Sequence, residues 1–410
     1  MKNPMPLLLA AALLSSCVWL ENPVSLGRSR SDAMGERTIR PKTGDPGEPD
    51  DTSAHLYISA VEYPKDYDWV RDTAHTLVDA RILLFKDGEC TASIPAGDSR
   101  HVSTDPDTHW ILGGHLYTTF SDGIRTYILR DGAELLRFEG AEDIRGMLLK
   151  ENMLWTLGQK IRGEGFTLRC DGTAAAENQQ GLLIGSLYED KGDLCYAYML
   201  TVKAGNYVLR KYFLCADGTE KEVSVPSDAQ AVFDIRRVGG ITYATYRQSS
   251  VPVGPVLSSD GGSQSLYYNL TTAQSPDWCE IIPWKDDILV KGWYNCTKDM
   301  RRYVLWSKTG MKLLFIPQIV IHDFLADERG NIAAVGYDTR TDETVIYLPP
   351  NATSRISLGK RYRFISHRVA ALAGDHFYAG LTGDGEDLLC LDSKRTPVTV
   401  NGPITGLAYQ

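Results

Sequence analysis

From His55 onward, hydrophobic residues fall in short runs rich in aromatic and β-branched side chains, with polar turns between them. The unit recurs as HLYISAVEY from His55, HLYTTFSD from His115, MLWTLGQK from Met153 and LCYAYMLT from Leu194. It continues as ITYATYRQ from Ile241, ILVKGWYN from Ile288, IAAVGYDT from Ile332 and FYAGLTGD from Phe377. Each run is followed by a second strand, a tight turn and a third strand. Five of the turns are Asp-Gly pairs, at Asp87-Gly88, Asp131-Gly132, Asp171-Gly172, Asp217-Gly218 and Asp260-Gly261. Degenerate versions stand at Thr309-Gly310, Pro350-Asn351 and Ser393-Lys394. Asp-Gly suits a two-residue hairpin because both central residues tolerate positive φ, which matches the twist of the strands.

The turns return roughly every 40–50 residues, the period of a propeller blade of four short strands. The pattern predicts an all-β fold over residues 55–410: a β-propeller of eight blades of four antiparallel strands, or of seven if a degenerate unit is not a blade. No helix-period segment of useful length follows residue 54, which argues against an α/β fold. The first unit begins at its second strand, and a lone apolar strand, Pro403 to Tyr409, trails the last unit. The predicted closure makes that C-terminal strand the innermost strand of the first blade. Such a join removes the open edges on which chains aggregate.

The N-terminus has a different character. Lys2 supplies a short positive region, Pro6–Leu14 an apolar run, and Leu14-Ser15-Ser16-Cys17 resembles the lipobox of bacterial lipoprotein signal peptides. The run is too short for a membrane span and has the length of a signal core. Residues 1–16 are therefore expected to be a signal peptide, with Cys17 lipidated as the membrane anchor. Residues 17–54 are polar and rich in Pro and Gly and read as a flexible tether, with a reach of roughly 30–35 Å. Val18 rather than Asp follows the cysteine, so nothing argues for inner-membrane retention. The expected address is the outer membrane of a bacterial envelope, facing periplasm or surface.

Composition narrows the partners. The 410 residues are 43% hydrophobic, enough for a large core. A formal charge of −9 with no basic cluster argues against nucleic acid, which needs a positive face. Eight cysteines include Cys17, and the seven left show no CxxC pair, so a complete disulfide framework is excluded. Cys195 and Cys215 are equidistant from the turn at Gly205, which leaves either a cross-strand bridge or two buried free thiols.

The strings Ile288–Gly310 (ILVKGWYNCTKDMRRYVLWSKTG) and Ile332–Leu348 (IAAVGYDTRTDETVIYL) resemble the repeats of β-propeller lipoproteins of Bacteroidetes. Those repeats carry a Val-x-Gly-Tyr-like strand, a variable loop and a strand ending in Trp before a Gly turn. The resemblance covers about residues 55–410 and implies a propeller and an envelope setting. It implies no activity.

Signatures of catalysis are missing: there is no HExxH, G-x-S-x-G, phosphate-binding loop or dinucleotide glycine pattern. No catalytic residue, metal site or cofactor is expected. His101, His109 and His115 lie close in sequence, but the last two bracket a strand. Asp105-Pro106-Asp107 and Thr382–Asp387 lack calcium-loop spacing. Ser258–Ser263 partly matches a sialidase Asp-box, and Leu305–Gly310 resembles one tryptophan-docking repeat of quinoproteins, each without the accompanying chemistry. Asp72-Thr73-Ala74 matches a short O-glycosylation motif.

Two long connections are neighbours on one propeller face, Pro64–Ala80 and Ala96–His109. They present Tyr67, Trp69, Arg71, Asp105, Asp107 and His109, with Trp110 opening the next strand. Rings flanked by acids and an arginine suit a sugar or a protein partner, and loops of such length are often functional. The leading expectation is a non-catalytic binding module, monomeric, for a glycan or an envelope protein. The alternatives are a glycan-active hydrolase or lyase on the same fold and a structural assembly subunit.

Overall fold

The computed structural model describes residues 55–409 apart from 70–78, 97–102, 249–253, 267–277, 315–318, 363–369 and stretches of one to three residues elsewhere. The expected signal peptide, Cys17, the tether and the Asp72-Thr73-Ala74 motif lie outside the described residues.

Among the described residues, the strands build eight four-stranded antiparallel sheets. Sheet 1 joins Leu56–Glu62, Ala80–Lys86 and Glu89–Ala96 to the C-terminal strand Ile404–Tyr409. Sheets 2 to 8 are consecutive in sequence, covering 109–139, 142–178, 182–223, 229–265, 278–314, 319–357 and 370–398. Innermost in each are His109–Leu112, Glu142–Lys150, Leu182–Asp190, Ala229–Val238, Trp278–Trp284, Ile319–Ala326 and Ala370–Ala373, with Ile404–Tyr409 in sheet 1. Each innermost strand touches the next in that order, and Ala370–Ala373 touches Ile404–Tyr409, so the contacts run round and close. This is an all-β propeller whose last strand completes its first sheet.

The pairing of that closure is explicit. Leu56 stands opposite Tyr409, Ile58 opposite Leu407 and Ser59 opposite Gly406. Leu407 is buried with Ala371 and Tyr378 of sheet 8. Beyond the strand, the amides of Val61 and Tyr63 donate to the carbonyls of Pro403 and Asn401, both at 2.9 Å.

An apolar layer fills each gap between neighbouring sheets. Trp306 and Ile281 pack with Tyr243 and Leu257 between sheets 5 and 6, and Phe166 and Leu157 pack with Leu187 and Tyr196 between sheets 3 and 4. Inner strands have layers on both faces, so His109–Leu112 (HWIL) and Ile319–Ala326 (IVIHDFLA) are buried almost throughout. Outermost strands such as Ala133–Glu139 and Thr219–Val223 are mostly exposed, which explains their charged sequences. The glycine of the repeat motif has a packing cause. A Cβ at Gly336 would lie 2.2 Å from the Val320 carbonyl oxygen, and one at Gly380 would lie 2.6 Å from an Ile404 methyl.

The Asp-Gly turns do more than reverse the chain. Asp87, Asp131, Asp171 and Asp217 have φ between 45° and 50°, followed by glycines at 77° to 92°. Each carboxylate then accepts an amide from the start of the sheet's second strand: Leu56 at 2.9 Å, Leu116 at 2.9 Å, Leu154 at 2.8 Å and Leu194 at 3.1 Å. Each Asp amide donates back to the carbonyl of the same leucine. His55 and His115 add Nδ1 contacts of 2.5 Å to Asp87 and Asp131, which accounts for the repeated His-Leu-Tyr. At Asp260-Gly261 the pattern differs, and the positive φ falls on Gly262.

Cys195 pairs with Ala216, and Cys215 with Tyr196. The two cysteines are thus one rung apart and project from opposite faces of the sheet. Both are free and buried, and burial pushes the Cys195 thiol up to about 12. The side chains of Cys296 and Cys390 lie outside the described set.

A chain ending at Gly402 should lose cooperative unfolding and aggregate through the uncovered edge of Leu56–Glu62, as read by size-exclusion chromatography and urea titration. Asp171→Ala should destabilise the protein by about 1.5–3 kcal/mol, the scale of a hydrogen bond to a charged group. Asp171→Asn, which keeps an acceptor, should cost less in the same titration.

Candidate functional site

The described parts of the two long loops meet on the face where the closing strand begins. Tyr63 is 5% exposed and caps Val61 and Ala80. Its ring lies 5.3 Å from that of Tyr67, tilted by 47°, and 6.4 Å from that of Trp69, nearly parallel at 15°. The Tyr67 amide donates to the Pro64 carbonyl at 3.0 Å, turning the chain back over Tyr63. Asn401 props this turn from below, its Nδ2 donating to the carbonyls of Pro64 at 2.6 Å and Tyr63 at 3.2 Å. Burial raises the Tyr63 phenol, against a hydrogen bond with the Thr104 side chain. That bond joins the first loop to the second.

The second loop is held by its own acids. The Asp105 amide donates to Ser103 Oγ and the Asp107 amide to Asp105 Oδ1, both at 3.0 Å. Thr108 Oγ1 donates to the Asp105 carbonyl at 2.8 Å, closing a single turn of 3-10 helix at Pro106–Thr108. Tyr67, Trp69 and Asp107 are half-buried, and Asp105 is exposed. Tyr67 and Trp69 belong with Tyr63, and the two acids belong to the second loop.

Two further predicted members are buried. His109 is 4% exposed and donates Nε2 to the Ser103 carbonyl at 2.8 Å, so it fastens the loop rather than facing a ligand. Trp110 is 3% exposed and packs with Ile144, Met147 and Leu154 between sheets 2 and 3. Arg71 and His101 lie outside the described residues. His115 binds Asp131 at the opposite end of its strand, away from His109. Tyr63 and Asn401 are the members that sequence reading missed. A Tyr-Pro step ending a strand was the available cue for the first, whereas Asn401 is placed only by ring closure.

A second polar group is buried among the inner strands. Lys291 Nζ lies 3.0 Å from Glu280 Oε2 and 3.3 Å from Asp323 Oδ1, with all three side chains at most 3% exposed. The lysine thereby bridges sheets 6 and 7. In sheet 5, Asp234 accepts the Ile281 amide at 2.9 Å, a bond into sheet 6. Burial pushes its carboxyl up to about 6, against the pull of Arg236 and that amide. Arg169 forks onto Glu142 at 2.5 and 2.9 Å within sheet 3. These groups tie strands together. Lys291 inside the apolar run ILVKGW was their one visible sign.

An open cleft of about 520 Å³ at the edge of sheet 7 is lined by Asp338, Arg340, Thr341, Glu343, Arg355 and Ser357. Arg355 Nη2 lies 2.9 Å and Arg340 Nη2 3.4 Å from Asp338 Oδ2. The Arg340 amide, with both guanidiniums, holds the Asp338 carboxyl below its ordinary value. Among the described residues, no three of His, Cys, Asp or Glu are grouped to hold a metal ion.

No protein-family model matches the sequence, and no curated protein matches it. Several solved structures align with much of the chain. The β-propeller domain of the Trilobed protease from Pyrococcus furiosus is 8% identical with a TM-score of 0.43, covering 84% of this chain and 95% of that one. A puromycin hydrolase is 11% identical with a TM-score of 0.45, over 71% of this chain and 53% of that one. A eukaryotic initiation factor is 9% identical with a TM-score of 0.46, over 87% and 96%. The chain spans about half the length of the puromycin-hydrolysing proteins it matches. The likeness is one of fold alone.

The raised Asp234 carboxyl sets a pH dependence. Its folded value lies above the unfolded value of about 3.9, so the folded state keeps a proton that the unfolded chain releases between them. Stability from this group is highest below about pH 4 and declines as pH rises towards 6, by about 3 kcal/mol. Asp234→Asn should flatten that decline in urea titrations compared at pH 5 and pH 7.

Proposed function

We propose that this protein is a non-catalytic binding module of a bacterial envelope, tethered to the outer membrane through a lipid on Cys17 and related to the propeller lipoproteins of Bacteroidetes. Taking each sheet as one blade gives a ring of eight, with the ligand surface on sheet 1. The ligand is a glycan, or failing that an envelope protein, received by Tyr67 and Trp69 with Asp105 and Asp107 beside them. The observation that carries this reading is the three-ring group of Tyr63, Tyr67 and Trp69, wedged between two loops and supported by Asn401. Planar rings held in place lose little entropy on stacking against the apolar face of a sugar, and adjacent carboxylates accept its hydroxyls. Arg71 belongs to the same loop and is proposed to contribute from it.

The inner-strand carboxylates Glu280 and Asp323 are buried against Lys291, so this pair offers no acid to a substrate. A hydrolase needs an acid open to its substrate.

A glycan array on the purified protein should return at least one binder. Trp69→Ala should weaken that binder roughly ten-fold or more, which is about 1.4 kcal/mol. An array without binders, together with no crosslinked envelope protein, removes the proposal. Cys17→Ser should abolish metabolic labelling with palmitate and release the protein from the membrane fraction. Retained labelling would place the lipid elsewhere.

A further inference from the structure

Sheet 4 carries a ribbon that its neighbours do not cover. Asp193–Ala204 and Tyr207–Ala216 pair without interruption from Cys195↔Ala216 up to Ala204↔Tyr207. The strand inside them pairs only as far as Leu182↔Met199, and the strand outside only as far as Tyr212↔Val223. Residues 200–211 therefore run on as a two-stranded ribbon, on the same end of the ring as the aromatic shelf of Tyr63, Tyr67 and Trp69. Its side chains are unusual for a solvent-exposed hairpin. Tyr207 is 77% exposed, Val208 61%, Leu209 48% and Val202 37%.

The register sorts them. Val202 opposes Leu209, and Tyr207 lies on the same face two residues away, because alternate residues share a face. Thr201 with Arg210 and Lys203 with Val208 occupy the other face. One face thus carries Val202, Tyr207 and Leu209, with Leu200 and Lys211 at its base, and the other carries Lys203 and Arg210 alongside Val208. In a chain of net charge −9, residues 200–211 hold no acid, and while Lys211 is paired with Glu222 at 3.2 Å, Lys203 and Arg210 supply basic charge nearer the tip. The ribbon of sheet 6 also outruns its inner strand, pairing from Trp293↔Tyr303 out to Thr297↔Met300, and its sequence includes Arg301 and Arg302.

We infer that the ribbon of residues 200–211 is a membrane-contact element that lays Val202, Tyr207 and Leu209 into the interface of an anionic lipid surface. Val202, Tyr207 and Leu209 on one face suit the acyl boundary, and Lys203 and Arg210 on the other suit phosphate headgroups. Each Lys or Arg near an anionic surface adds about 1 kcal/mol. Sheets 4 and 6 flank sheet 5, which lies across the ring from sheet 1. A ring resting on these ribbons therefore keeps the aromatic shelf on its far rim. The chain enters sheet 1 at the opposite end, and a tether from Cys17 to residue 54 spans on the order of 120 Å when extended, enough to pass the ring. The contact does not depend on the lipid at Cys17.

The test is hydrogen exchange of the full chain, mixed with vesicles of phosphatidylcholine alone or with phosphatidylglycerol. Amides of 201–210 should slow at least ten-fold with the anionic vesicles only, a local readout that membrane affinity at the N-terminus does not mimic. Lys203→Gln combined with Arg210→Gln should raise the lipid concentration needed by roughly 30-fold, from two charges at about 1 kcal/mol each. Tyr207→Ser with Leu209→Ser should remove the slowing, while residues 194–199 keep their protection as a control for folding. Unchanged exchange with both vesicle types overturns the inference. So does slowing that appears without vesicles as protein concentration rises, which would assign the ribbon to a second copy of the chain.

Discussion

Sheet 1 has three strands until the end of the chain arrives, and backbone pairing between Leu56–Glu62 and Ile404–Tyr409 is the constraint on which the rest of the ring depends. Until it forms, the inner edge of Leu56–Glu62 has unpaired amides and carbonyls, and the apolar faces of sheets 8 and 2 lack their partner. The two strands are about as far apart in sequence as the folded body allows, so closure carries a large loop entropy and comes late. Within each other sheet the pairing is local. The molecule therefore combines fast local hairpins with one slow long-range join.

That contrast explains what the sequence reveals. The turns were legible because Asp-Gly chemistry is local: the same two residues supply positive φ and the carboxylate that receives a leucine amide. Closure was legible too, since a strand missing at one end and a spare one at the other have one economical solution. His109 and Trp110 were expected at a loop surface and are buried for an equally local reason. The loop hands over to a strand at that point, and a strand entering between two sheets buries both faces at once. The shelf itself was half legible, with Tyr67 and Trp69 visible in the loop but Tyr63 hidden as an ordinary strand end.

The charges inside the ring were illegible for the opposite reason. Glu280, Lys291 and Asp323 belong to three strands of two sheets, and Asp234 to a third sheet. Nothing in their spacing foretells that they meet. Their net contribution to stability is small once desolvation is counted. Removing one partner is costly, though, so the group discriminates against a sheet docked out of register. The ribbon of sheet 4 was hidden likewise, because its exposure depends on where the neighbouring strands stop rather than on its own sequence.

The clamp at Asp87 has a mechanical consequence. It grips His55 and Leu56, the first residues of the described body, through a carboxylate that contacts the imidazole and an amide. Tension transmitted along the preceding segment would meet this grip before reaching the rungs of the strand. Leu56 is flanked on both sides, by the Ala80–Lys86 strand and by the closing strand that ends at Tyr409. Pulling at that point peels one strand out of the middle of a sheet, with two ladders resisting together. Any pull from the N-terminal side is thereby shared between two neighbouring strands.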